Sequence, residues 1–101
     1  MQAHFVGELS RDLSELVEVG DYGFFNAGIP QKRYIAVRCP FCLREGIFGT
    51  HHVSIDTPGS WTWDETTKTL SPSVKVTRYD GVCHWNLTNG EFIVHGDSVN
   101  T

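Results

Sequence analysis

Apolar and polar residues alternate with a period of two in several short stretches of this chain, and take helical spacing near its start. In 8–18, ELSRDLSELVE, the residues Leu9, Leu13, Leu16 and Val17 fall at i, i+4, i+7 and i+8. That spacing predicts one apolar face of a short helix, ended by Gly20-Asp21. Beyond it the period changes. Tyr22, Phe24 and Phe25 suggest a short strand, and Asn26-Ala27-Gly28-Ile29-Pro30 a turn. KRYIAVRC (32–39) reads as a strand with Ile35 and Val37 on one side and Tyr34 and Ala36 on the other. His51 to Ile55 predicts a strand returning beside it. Trp61-Thr62-Trp63 suits a strand with both indoles on one face. Thr69 to Ser73 reads as irregular, because Pro72 has no amide to give a ladder. Val74 to Tyr79 alternates cleanly.

The sharpest signal is Asn89-Gly90 between Val82–Thr88 and Glu91–His95, the sequence of a two-residue type I′ hairpin. It sets a register: Thr88 opposite Glu91, Leu87 opposite Phe92, Trp85 opposite Val94, His84 opposite His95. Cys83, Trp85 and Leu87 then share a face with Phe92 and Val94. The polar tail GDSVNT is expected to fray. The whole predicts a mainly β (α+β) chain. A single domain covers 1–101, with an N-terminal helix segment in 1–20 and a small antiparallel sheet forming a core over 32–97.

Composition narrows the function classes. With 101 residues, 40% of them hydrophobic and 12% aromatic, the chain suits one packed domain of modest core. The formal charge of −4 and scattered basic residues argue against a general nucleic-acid binder, even with Arg38 and Arg44 flanking the cysteines. The start, MQAHFVGELSRD, lacks a basic stretch followed by an apolar run, and no segment approaches the roughly 20 apolar residues of a membrane span. A cytoplasmic setting, without membrane contact, is therefore expected. There three cysteines favour a metal over disulfides.

The chemistry-bearing residues lie in two clusters, Cys39-Pro40-Phe41-Cys42 and Cys83-His84. A C-x-x-C turn presents two thiolates from one backbone knuckle, half of a tetrahedral zinc site. Cys83 is the one cysteine left to be the third ligand. For the fourth, spacing leaves His84 and His52 open, with His51 and His95 also near. Because neighbours on a regular strand point to opposite faces, Cys83 and His84 could share an ion only across a bulge. Competing readings are a redox pair in CPFC, a merely buried Cys83, and an exposed His84/His95 pair. The redox pair expects a helix after the motif, where LREGIFG is glycine-broken.

These residues resemble a family of small metal-binding proteins of unknown function from phages and bacteria. The pieces that carry the resemblance are the Cys39–Cys42 knuckle, Trp61-Thr62-Trp63, Leu70-Ser71-Pro72-Ser73-Val74, Cys83-His84 and Asn89-Gly90. They span about residues 34 to 97. In that family a histidine stands six positions before the turn glycine, as His84 does before Gly90. The resemblance thus implies Zn2+ held by Cys39, Cys42, Cys83 and His84. A closed four-ligand site is structural, so the function expected is an accessory module that binds another protein. The alternative is a small zinc hydrolase or deaminase with an open site and Glu45, Asp80 or Asp97 as base. Neither H-x-E before the knuckle nor HExxH, P-loop or G-x-S-x-G occurs to support it.

Overall fold

The computed structural model describes residues 1–39, 49–78 and 81–100. Among these residues nine strands form: β1 (His4–Glu8), β2 (Asp21–Ala27), β3 (Lys32–Arg38), β4 (Thr50–Ile55), β5 (Thr62–Asp64), β6 (Thr69–Arg78), β7 (Gly81–Thr88), β8 (Glu91–Val94) and β9 (Val99–Asn100). They build two sheets. One has the order β1-β2-β3-β4; the other runs β5-β6-β7-β8, with β9 also pairing β7. All pairs are antiparallel except β1 with β2.

The alternation seen in the sequence decides what each sheet buries. Tyr22, Phe24, Ile35, Val37 and Ile55 from the first sheet join Leu70, Val74, Trp85, Leu87 and Phe92 from the second in one core. Aromatic rings lock the layers together. Trp63 of β5 lies 5.6 Å from the Tyr22 ring and 5.5 Å from that of Phe24 across the layers, while within the second sheet Trp85 meets Phe92 edge-on at 5.3 Å. Such pairs add about 0.5–1.5 kcal/mol each beyond the area they bury. The strand pair 32–38 with 50–55 forms in the expected antiparallel sense. The terminal hairpin has the expected register throughout, with Asn89 and Gly90 at φ 51° and 75°, as a type I′ turn requires.

Three expectations are corrected. No helix forms over 8–18; among the described residues there is none anywhere. Ser10 Oγ donates to Asp12 and Glu15, whose carboxylates also take the amides of Ser14 and Ser10. These short-range bonds offer the backbone an alternative to a helix. The amides of Leu13 and Leu16 reach carbonyls three residues back, and Leu13 adopts φ 58°. Of the supposed apolar face Leu16 is buried, whereas Val17 is 66% exposed. The buried Asp21 then closes the segment, its carboxylate accepting from the amides of Val17 and Glu18 and contacting the His4 ring.

Residues 69–73 are the second correction: they belong to β6. Leu70 pairs with Leu87 and Val74 with Trp85, so Ser71, Pro72 and Ser73 stand against Asn86 alone. The strand absorbs Pro72 by bulging. Third, the tail is anchored, since Val99 and Asn100 pair with Val82 and Gly81.

One segment ties the two sheets together from the side. Met1 exchanges backbone bonds with Phe92, and the Ala3 amide donates to the Gly90 carbonyl, along the outer edge of β8. The chain then continues into β1 on the edge of β2.

Candidate metal centre

Cys39, His51 and Cys83 offer one sulfur or ring nitrogen each within 4.8 Å of one another, and all three residues are buried. Their convergence follows from strand parity. Along β3, Ile35 and Val37 face the core, and Cys39 continues that series two residues on. In β4, His51 stands opposite Val37 and shares a face with Val53 and Ile55. A hydrogen bond from the Cys39 amide to the Gly49 carbonyl carries the pairing past the end of β3. From the second sheet, Cys83 lies opposite Val76, on the side of β7 that buries Trp85 and Leu87. The cluster therefore draws on both sheets, two residues from one layer and one from the other.

Of the predicted ligands, Cys39 and Cys83 come together. Cys42 lies outside the described residues. His84 takes no part: β7 pairs with β6 in continuous register from Trp85 to Gly81, so no bulge turns His84 to the side of Cys83. Its ring sits on the opposite face, hydrogen-bonded to Ser73 and Asp97 and stacked at 4.0 Å on His95. His52 also faces away from the core, meeting Phe25 and Tyr34 edge-on. His51, in contrast, shares parity with Val53 and Ile55 on the face of β4 turned to the core.

The donor chemistry suits zinc. Two thiolates and an imidazole are soft to borderline ligands. Around a tetrahedral ion with bonds of about 2.3 Å, such atoms lie about 3.8 Å apart, a small contraction from the present limit. The oxidation state matters. Cys83 is disulfide-bonded in this structure, so it must be reduced before it can be a thiolate ligand.

The partner of His51 matters as well. Trp85 Nε1–H donates to His51 Nδ1 over 3.1 Å, with the two rings 8° from parallel. A metal-bound imidazole turns one bare nitrogen to the ion and its remaining N–H to an acceptor. The indole is a donor only. Whichever nitrogen binds, loading a metal on His51 gives up the Trp85 bond. Trp85→Phe removes that competition. It is expected to tighten zinc binding about fivefold, the worth of one buried hydrogen bond of about 1 kcal/mol. Competition against a chromophoric chelator measures this, and an equal or weaker affinity would contradict it.

Around the same strand, His84 Nδ1 lies 3.0 Å from Asp97 Oδ1, and the Lys75 ammonium 3.3 Å from Asp97 Oδ2. The hydrogen bond to His84, then that to Lys75, holds the Asp97 carboxyl below its ordinary pKa. Among the described residues no helix is long and apolar enough to cross a membrane. Compared with family models, with curated proteins and with solved structures, the chain gives no match.

Proposed function

We propose that the reduced chain binds one structural zinc that staples its two sheets together. The observation that carries this reading is the buried Cys39–His51–Cys83 cluster, built from both layers. Cys42 is the natural fourth ligand by its C-x-x-C spacing to Cys39. A shell of four protein ligands leaves no position for a reacting water, which favours a structural over a hydrolytic metal. On this reading the chain is an accessory module whose rigid faces serve contact with another protein, the role its resemblance to small phage and bacterial zinc proteins implies.

The test is metal content after anaerobic, reducing purification. One zinc per chain is expected, lost in Cys39→Ser, Cys83→Ser and His51→Ala and retained in His84→Ala. Retention in His51→Ala with loss in His84→Ala would overturn the ligand set. A second reading, a reversible disulfide switch, is favoured by the oxidised state of Cys83. Thiol titration separates the two. A zinc site gives three thiols that chelation unmasks; a redox pair gives two thiols that appear only with reductant, and no metal.

A further inference from the structure

On the face of the second sheet turned away from the metal cluster, Ser73, His84 and Asp97 form a connected line. Ser73 Oγ lies 2.9 Å from His84 Nε2, and His84 Nδ1 lies 3.0 Å and 3.2 Å from the two oxygens of Asp97. One tautomer satisfies both contacts. With the proton on Nδ1 and donated to Asp97, Nε2 is bare and accepts from the Ser73 hydroxyl. We propose that Ser73, His84 and Asp97 constitute a nucleophilic relay that cleaves carboxylic esters, with Ser73 as nucleophile, His84 as general base and Asp97 as a positioning residue.

Each member is placed by a separate device. Ser73 sits at the end of the β6 bulge, and its carbonyl accepts from Trp61 Nε1–H at 3.4 Å. Bulges re-aim side chains and favour such sites. The His84 ring is fixed in its plane by His95, stacked 14° from parallel, and His95 is held in turn by Asn86 Oδ1. Asp97 is returned over the sheet by the turn 95–98. There the Ser98 hydroxyl accepts from the His84 amide at 3.0 Å and donates to the His84 carbonyl at 3.1 Å. The His84 side chain is 20% exposed, so an ester can approach from solvent.

The step balances within these groups. Ser73 Oγ–H gives its proton to His84 Nε2 as Oγ bonds to the carbonyl carbon. The tetrahedral adduct collapses, the ester C–O bond breaks, and the leaving alkoxide takes that proton. Water then repeats the sequence on the acyl-serine, releasing the carboxylic acid and restoring Ser73.

A fluorophosphonate probe tests the relay. Intact mass and peptide mapping should show one adduct, on Ser73, and none in Ser73→Ala. His84→Gln should slow labelling about 100-fold or more, the usual worth of a general base. Asp97→Asn should lower the limiting labelling rate about tenfold or more through the wrong tautomer. Its dependence on probe concentration should not change, which a merely structural role would not produce. Turnover of 4-nitrophenyl acetate should follow the same order. A purely structural network predicts a folded wild-type chain that takes no label. That result, or labelling that survives Ser73→Ala, would overturn the proposal.

Discussion

Zinc added in thousand-fold excess over its Kd is expected to stabilise the reduced wild-type chain by about 4 kcal/mol. For a domain of this size that is a rise in melting temperature of about 20 °C. Cys39→Ser should abolish the response. The reason is topological. Cys39 is fully buried at the end of β3, and Cys83 enters from β7 in the other sheet. An ion between them closes a loop of more than forty residues and opposes separation of the layers, so binding free energy becomes folding free energy. Serine at position 39 also buries a hydroxyl, which costs about 1–3 kcal/mol if it stays unsatisfied. The decisive readout is therefore the difference between melts with zinc and with chelator, not the absolute melt. Equal differences in wild type and Cys39→Ser would refute a metal-linked fold.

The second large effect is expected at Gly23. It lies on β2 between Tyr22 and Phe24, facing away from the core. A Cβ there would come within 2.4 Å of the Gly7 carbonyl oxygen and 2.7 Å and 2.8 Å of the Leu9 side chain. Leu9 could rotate; a backbone carbonyl beside the β1–β2 pairing cannot yield without moving the strand. The irregular register between Phe5 and Glu8 and the bond from the Leu9 amide to the Phe24 carbonyl hold it there. Gly23→Ala should cost about 3 kcal/mol, at the upper end for overpacking. Denaturant titration with an unchanged midpoint would show that the segment 7–9 shifts freely. No positive φ is involved at Gly23, so the effect would be steric rather than conformational.

Period-two alternation and one turn dipeptide made much of this architecture legible. Asn89-Gly90 determined the last hairpin to the residue, because a two-residue turn leaves a single register. The strand 32–38 and its partner 50–55 were legible from Tyr34-Ile35-Ala36-Val37 and His51 to Ile55, short runs of strand-forming residues that return beside each other. The segment 8–18 misleads because leucine spacing says nothing of Ser10, Asp12 and Glu15, whose side chains bond the backbone locally. Pro72 misleads in the other direction, since a bulge can carry a proline through a strand. In the candidate site both described cysteines were identified. The histidine was not, because spacing left His84 and His52 open and the family resemblance favoured His84, the neighbour of Cys83, which a regular strand points outward. Parity with Val53 and Ile55 marks His51, but using it requires knowing which face of β4 meets the other sheet. The Ser73–His84–Asp97 line lay beyond sequence reasoning, since it depends on the turn that folds Asp97 back over β7.

The first eight residues hold more than their own conformation. Residues 1–3 lie along the free edge of β8, and β1 lies along that of β2. An unpaired strand edge is a template for another chain. One short segment thus guards two such edges, on different sheets. Clipping it would unmask both at once and leave an exposed edge on each sheet with which another chain could pair.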